Sequence, residues 1–337
     1  MPREPGWWYR DPGLHARVLS PIASLYGAIA ARRLKRGKPY RARIPVICIG
    51  NFTSGGSGKT PLTALIAEML IARGEYPAIL SRGYGGSERG PHWVNLESDT
   101  AERVGDEPLL LARIAPVMVA RDRGAGARAI EDQGEATIIV MDDGLQNPSL
   151  RKDLSLAVID SARAFGNGQV IPAGPLRLPL AEQAKLVQGI VFNGPVYGHF
   201  AGEVDRLVPV PQLNAWLQGD WIGGGQSGRG KFVAYAGIGH PQRFFDTARA
   251  LGATLAETVP FPDHAPYTDA DADRLLALAR AHDAKLITTA KDHVRLTGSE
   301  KLRALAAASQ VVPVRMKLHD SAVAALEGML ERVLAKH

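Results

Sequence analysis

NFTSGGSGKTPLTALIAEML (residues 51–70) directly follows the apolar run IPVICIG (residues 44–50). An apolar run, a glycine-rich turn ending in Lys-Thr and an apolar helical pattern make the strand–loop–helix context of a phosphate-binding P-loop. Backbone N–H groups from Gly55 to Lys59 can point inward at phosphate oxygens, and the glycines let the main chain come close. Lys59 would then reach the β- and γ-phosphates, with the Thr60 hydroxyl on Mg²⁺. Thr53, Ser54, Gly55, Gly56, Ser57, Gly58, Lys59 and Thr60 are therefore the expected nucleotide-binding residues. Thr53 stands where the pattern G-x-x-x-x-G-K-[ST] has its first glycine, a departure that leaves the inner GGSGKT intact. A glycine turn that merely caps a helix is the plainer reading, and the flanking elements weigh against it.

Outward from this loop, short β-branched runs alternate with helical patterns. IPVICIG, YPAIL, PVMVA, ATIIVMD, LSLAVID and LVQGIVFNG read as strands. PLTALIAEMLIARG reads as a helix with Pro61 at its start and Gly74 at its end, and EPLLLARIA as one opened by Pro108. Such alternation predicts an α/β fold, a P-loop NTPase-type parallel sheet with helices on both faces. Its functional loops belong at the carboxyl ends of the strands. WIGGGQSGRGK (residues 221–231) turns glycine-rich and polar, the best linker in the chain. Beyond it FVAYAGIG, PQRFFDTARALG, DADADRLLALARAHD, KLITTA and VVPVRM predict a second, smaller α/β domain. The expected units are 1–43, 44–222 and 231–337, with a cleft between the last two.

The whole chain, 337 residues with 45% hydrophobic and 22% charged content, is ordinary for a folded protein. The single cysteine, Cys48, excludes an internal disulfide and a multi-cysteine metal site, and its apolar surroundings predict a buried core thiol in a reducing, cytoplasmic setting. The net charge of +6 is unevenly placed. Residues 1–43 hold ten Arg and Lys against two acids, so the remaining 294 residues, with 30 basic and 32 acidic, are slightly negative. That confinement argues against a broad nucleic-acid-binding face.

Within the first 43 residues, GWWYRDPG supplies interfacial aromatics. LHARVLSPIASLYGAIAA places Leu14, Val18, Ile22, Leu25, Tyr26 and Ile29 on one helical stripe, and RRLKRGKPYRAR adds seven basic residues and no acid. The apolar stretch, interrupted by Arg17 and Pro21, is too short for a membrane span, and the order of charges is wrong for a signal peptide. Two readings stay open: a segment lying on an anionic bilayer surface, or a core helix followed by a solvated basic loop. Pro21 leans toward the second, since it would break or kink a long surface helix.

Other stretches carry chemistry more quietly. In ATIIVMDD, Asp142 ends an apolar strand and Asp143 begins the next loop, where a P-loop protein keeps its Mg²⁺-organising carboxylate. Either could bind the ion or its waters, and for Asp143 alone a turn-capping Asp-Gly is the plainer reading. In RVGDEPLLLA, Asp106 and Glu107 sit at a helix mouth, and capping is the default explanation. His264 in FPDHAPY is a lone histidine among prolines and aromatics, a setting more often structural than catalytic. Arg82 in SRGYGG and Arg177 in PAGPLRLPL lie in glycine- and proline-flanked loops suited to phosphate or carboxylate recognition, and equally to an ordinary surface.

In order along the chain, VICIGNFTSGGSGKTP, LSRGYGG, VGDEPLLLA, VMDDGLQN, PAGPLRLPL, AYAGIGHPQRFFDT, FPDHAPYT and ITTAKDHVRL resemble the tetraacyldisaccharide 4'-kinases, the lipid A kinases of Gram-negative bacteria. In that family the P-loop has an Asn-x-Thr lead-in, which accounts for Thr53; Leu145 replaces an expected Phe, and Ala265 falls at a variable position. The resemblance implies transfer of the γ-phosphoryl of ATP to the 4'-hydroxyl of an acylated glucosamine disaccharide 1-phosphate, giving lipid IVA. It implies a catalytic pair, Asp106 and His264, one from each domain, acting with Lys59. It also implies Mg²⁺ organised by Thr60, Asp142, Asp143 and Glu107. Arg82, Arg177, Arg32 and Arg33 become candidates for the substrate. With a lipid substrate the amino-terminal segment becomes a docking element for an anionic membrane, on the cytoplasmic face of the inner membrane, in a peripheral, monomeric enzyme.

Three rival readings compete. A membrane-associated partitioning-type ATPase has the related loop Lys-Gly-Gly-x-Gly-Lys-Thr, but here Ser54 takes the position of its signature lysine. A GTPase needs Asn-Lys-x-Asp, which the chain lacks. A soluble small-molecule kinase or ligase with an incidental basic tail would be indifferent to loss of residues 1–43.

Overall fold

The run that precedes the P-loop is buried along its whole length and alternates between two cores. Ile47 and Ile49 face one, Val46 and Cys48 the other. A strand covered on both faces is what a continuous apolar run predicts. The computed structural model describes residues 4–196, 198–221 and 230–336. Its strands are β1 (Val46–Gly50), β2 (Pro77–Ser81), β3 (His92–Trp93), β4 (Val117–Val119), β5 (Ile138–Asp142), β6 (Leu154–Asp160) and β7 (Gly189–Asn193). They continue with β8 (Gln212–Gly219), β9 (Lys231–Ala236), β10 (Thr254–Pro260), β11 (Lys285–Thr289), β12 (Ser309–Val312) and β13 (Val314–Leu318).

Nine strands form one sheet in the order β13-β8-β7-β6-β1-β5-β2-β4-β3. Its interior is parallel, with antiparallel pairing only at the two edges, β13 on β8 and β3 on β4. On one face the helices Lys59–Ala72 and Asp320–Leu334 bury Leu62, Ile66, Leu70, Leu326 and Leu330 against Ile47 and Val140. The other face is covered partly by the helix Arg123–Gln133, whose amino end is capped by the Asp122 carboxylate. Four parallel strands, β10-β9-β11-β12, form the second sheet. All six strands expected around the P-loop are present. Cys48 is buried as expected, and burial pushes its thiol up to about 11.

Three expectations are corrected. The carboxyl-terminal unit does not run to residue 337: VVPVRM breaks at Pro313 into β12, in the small sheet, and β13, which crosses back to pair with β8. Proline has no N–H to donate, so the ladder cannot run through it. The helix Asp320–Leu334 then packs on the larger core, and the small unit ends at residue 312. Pro21 does not break its helix, which runs unbroken from Leu14 to Arg36 and takes in the first basic residues. Trp8 is no interfacial anchor: it is buried, and its indole N–H donates to the Pro172 carbonyl at 3.1 Å. Strands β3, β8 and β10 were not read from the sequence. Most of the glycine-rich linker, residues 222–229, lies outside the described residues.

The helix Leu14–Arg36 reverses the usual pattern. Its buried residues are the small ones, Ala16, Ala23 and Gly27, and a Cβ on Gly27 would lie 3.3 Å from Pro179. The large apolar residues point outward: Leu14, Val18, Ile22, Leu25 and Ile29 are each 59–75% exposed.

Candidate active site

Gly55 and Gly58 have φ of 93° and 102°, a region that side chains rarely adopt, and this folds the P-loop back over the end of β1. A Cβ on Gly58 would lie 2.9 Å from Asn193 Nδ2, the atom that donates to the Ser57 carbonyl at 3.0 Å. Lys59 opens the following helix; its ammonium lies 3.5 Å from the Gly55 carbonyl and 3.9 Å from Asp143 Oδ1. Gln146 donates to the Asn51 carbonyl at 2.7 Å, Gln183 to that of Phe52 at 3.1 Å, and Arg177 to that of Thr53 at 3.1 Å. Ser54 N–H donates to the Pro175 carbonyl at 2.7 Å. The lead-in is thus bound to two other loops before any ligand arrives.

Asp142 and Asp143 end β5 beside the loop. Thr63, one turn into the P-loop helix, donates to Asp142 Oδ1 at 2.9 Å. Burial first, and then the neighbouring Glu107 and Asp143 carboxylates, push Asp142 up to about 7. Asp143 shares the burial, but Lys59 and a two-pronged bond from Arg177, at 2.7 and 3.1 Å, hold it at about 2. Arg177 is therefore a partner of Asp143 and a brace for the loop in this structure.

Asp106 opens the short helix Asp106–Leu111 and is buried. No side-chain cap bond from the preceding Gly105 holds this helix. The Asp106 carboxylate faces the smaller unit: Oδ2 lies 3.1 Å from His264 Nδ1 and 3.6 Å from Arg295 Nε. Burial raises Asp106, but His264, Lys291 and Arg295 overrule it and hold the carboxyl at about 2. His264 follows β10 with φ of 57°, a strained conformation for a residue with a Cβ, and its ring meets Tyr84 edge-on with centroids 5.7 Å apart. Glu107 pairs with Lys291 of the smaller unit at 2.8 Å.

The carboxyl ends of the two sheets therefore face each other, and the predicted groups from both units meet. Thr60 is half-buried at the start of the P-loop helix. Arg82 is exposed, two residues before Tyr84, and makes no ion pair among the described residues. Arg32 and Arg33 lie exposed near the end of the helix Leu14–Arg36, where Lys35 pairs with Glu182 at 2.9 Å.

Among the described residues, five buried side-chain polar atoms lack a well-formed hydrogen bond: Glu4 Oε1, Asn51 Oδ1, Ser57 Oγ, Arg123 Nε and Asp106 Oδ2, the last held only by its ion-pair contacts with His264 and Arg295. All five cluster around this cleft, and buried polar atoms are rarely left unpaired without a functional reason. No group of three or more His, Cys, Asp or Glu side chains among the described residues is arranged to hold a metal ion. The donors are hard oxygens all the same, and the crowding that raises Asp142 is a surplus of negative charge. That suits Mg²⁺, which takes one or two protein oxygens and completes its shell with phosphates and water.

Several participants escaped the sequence reading. Glu4 packs so closely on Gly55 that a Cβ there would collide with its carboxylate, which also pairs with Arg163 at 2.7 Å and accepts from Tyr9 at 2.9 Å. Thr63 had a readable signal, one helical turn beyond Thr60. Lys291 and Arg295 had only the ITTAKDHVRL string, which by itself names no partner.

Residues 15–333 match the family model described as tetraacyldisaccharide-1-P 4'-kinase. A tetraacyldisaccharide 4'-kinase of Dinoroseobacter shibae is 46% identical over 326 residues, covering 94% of each chain. One of Methylorubrum populi is 50% identical over 302 residues, covering 87% of this chain and 89% of its own. The crystal structure of LpxK from Aquifex aeolicus in complex with ATP has a TM-score of 0.73 over 95% of this chain and 99% of its own; at 23% identity this is a likeness of fold.

Proposed function

This chain belongs to the tetraacyldisaccharide-1-P 4'-kinase family, and from that premise we propose how its residues carry the reaction. It is an ATP-dependent kinase that phosphorylates the 4'-hydroxyl of the acylated glucosamine disaccharide 1-phosphate, giving lipid IVA in lipid A biosynthesis. The observation that carries the site assignment is the meeting of Asp106 and His264, from opposite units, 3.1 Å apart at the mouth of the P-loop cleft.

A sugar hydroxyl barely ionises at neutral pH, so its proton must pass to a positioned base as the oxygen attacks. Asp106 is the acceptor and His264 its orienting partner. The carboxylate comes from the first turn of a helix in one unit and the ring from a loop in the other, so the complete pair exists only when the units meet, which limits transfer to water. Lys59 and the N–H groups from Gly55 to Lys59 hold the triphosphate. Mg²⁺ would be held by Thr60 and Asp142, beside Asp143 and Glu107, and would neutralise charge on the β- and γ-phosphate oxygens.

The exposed stripe of the helix Leu14–Arg36 serves the substrate. A lipid with several acyl chains leaves a bilayer only at high cost, so the enzyme docks as a peripheral protein on the cytoplasmic face of the inner membrane. No described helix is long and apolar enough to cross a membrane. Arg32, Arg33 and Arg82 are exposed cations for headgroups or the substrate 1-phosphate. Because one chain supplies both halves of the site, the enzyme acts as a monomer. The partitioning-type ATPase is not favoured: the relatives are kinases, and Ser54 stands where that switch has lysine.

Incubation with labelled ATP, Mg²⁺ and the disaccharide 1-phosphate should label the lipid at the 4' position. Label appearing only as inorganic phosphate would overturn the assignment.

A further inference from the structure

Lys291 has no role in the scheme above, yet it stands at its centre. It lies in the short helix Ala290–His293, at the carboxyl end of β11. That turn is rigidly held. Thr289 caps it by accepting from Asp292 N–H at 3.1 Å, and the fully buried Asp292 carboxylate accepts from Gly237 N–H and Tyr267 Oη, both at 2.8 Å. Arg295 pairs with Asp292 at 3.0 Å and donates to the carbonyls of Gly237 and Ala265, which also fixes the loop carrying His264. From this frame the Lys291 side chain reaches across to the larger unit and meets Glu107 at 2.8 Å.

Glu107 is the hub of the local charges. Lys291 and Lys59 both stabilise its negative form, and Glu107 in turn acts on Asp142. Lys291 also acts on Asp106, the proposed proton acceptor. The ammonium is therefore one carboxylate away from the P-loop lysine and beside the base. On the phosphoryl-transfer reading, the terminal phosphoryl passes between those two points.

A simple clamp between the units is the alternative, but clamps exist elsewhere. Arg243 pairs with Asp160 at 2.9 Å, and Arg163 contacts His240, so the units are already joined without Lys291. Of the other cations of the cleft, Arg177 is committed to Asp143, Arg295 to Asp292 and Arg123 to the Ala120 and Asp142 carbonyls, while Arg82, on the larger unit, is exposed and makes no ion pair among the described residues. Lys59 and Lys291 are the two flexible ammonium groups, one from each unit.

We infer that Lys291 is a second phosphate-directed cation, delivered by the smaller unit, which exchanges Glu107 for the non-bridging oxygens of the transferring phosphoryl. The inference rests on the phosphoryl-transfer reading above. In the step, the bond between the γ-phosphorus and the β–γ bridging oxygen breaks and ADP leaves with its electron pair. The 4'-oxygen bonds to phosphorus, and the hydroxyl proton passes to Asp106. Lys291 stays protonated throughout and stabilises charge that builds in the transition state.

The test compares the full-length enzyme with Lys291→Met, which keeps the apolar stem, and Lys291→Arg, which keeps the charge. The Met variant should lose about 10²- to 10³-fold in kcat with KM for ATP changed less than about threefold, and the Arg variant should recover at least about tenfold of it. Binding supplies a readout independent of turnover: with Mg²⁺, ADP affinity should be unchanged while affinity for ADP with aluminium fluoride drops by a comparable factor. Equal weakening of both ligands, or an unchanged kcat, would overturn the inference and leave Lys291 a clamp. Should Lys291→Met fail to fold by circular dichroism, Lys291→Gln carries the same comparison. If the wild type hydrolyses ATP without labelling lipid, the substrate reading fails, while the aluminium fluoride comparison still judges Lys291.

Discussion

The outward-facing stripe of the helix Leu14–Arg36 gives the sharpest prediction, because its two readings make opposite demands. Ile22 and Leu25 are 59% and 63% exposed, so replacing both by Gln removes little packing in water. Folding stability should move by no more than about 0.5 kcal/mol per site, as at ordinary surface positions. Burying an Ile or Leu side chain fully contributes about 1.5–3 kcal/mol, and roughly three-fifths of that area is available here, so lipid contact is worth about 2–4 kcal/mol for the pair. The double variant should therefore partition onto vesicles roughly 30- to 700-fold more weakly. Co-sedimentation with vesicles containing anionic lipid measures this directly, and thermal unfolding is the control. Raising the salt should weaken wild-type binding further, since the basic residues that follow the stripe are screened within about 8–10 Å. A marked drop in melting temperature with vesicle binding unaltered would refute the reasoning, because the stripe would then be a packing face.

Lys59→Ala should lower turnover by about 10³-fold, and a normal rate would remove the P-loop from the chemistry. Asp106→Ala should cut kcat strongly with ATP binding largely intact, and His264→Ala should cut it less; a pure loss of ATP affinity in the first would reduce Asp106 to a metal or capping role. Asp142 is held at about 7 in the fold against an ordinary 3.8, so the folded state keeps a proton that the unfolded chain releases. Its contribution is full below pH about 4 and fades as the pH rises through 7, an effect of up to about 4 kcal/mol. Asp142→Asn should accordingly flatten the fall in melting temperature between pH 5 and 8 without Mg²⁺, and parallel curves for the two proteins would contradict the crowding of carboxylates. Glu4→Ala should lower KM for ATP about two- to fivefold by removing a negative charge beside Gly55; an unchanged KM would mean that the carboxylate swings clear unaided.

The P-loop, its strand and its helix were legible because they are local. A buried run, a turn of glycines and a 3.6-residue period are each set by neighbours a few positions apart. Asp142 and Asp143 were readable for the same reason, at the end of an unbroken apolar strand. The amino-terminal stripe was visible as a period, but which way it faced was not. Only packing showed that Ala16, Ala23 and Gly27 take the inner side, since small residues permit the close approach that larger ones forbid.

Tertiary structure alone decided the rest. Asp106 and His264 are separated by nearly half of the chain, and a capping carboxylate and a lone histidine gain their meaning only when two sheets bring their carboxyl ends together. Arg177 read as a free recognition group until the fold set it on Asp143. The return of β13 to the larger sheet depended on a single proline and on an edge strand with unpaired groups to satisfy. Residue type and spacing specify what a segment can form. Which charges neutralise one another depends on distances across the fold, because Coulomb energy and desolvation follow separation in space and not along the chain.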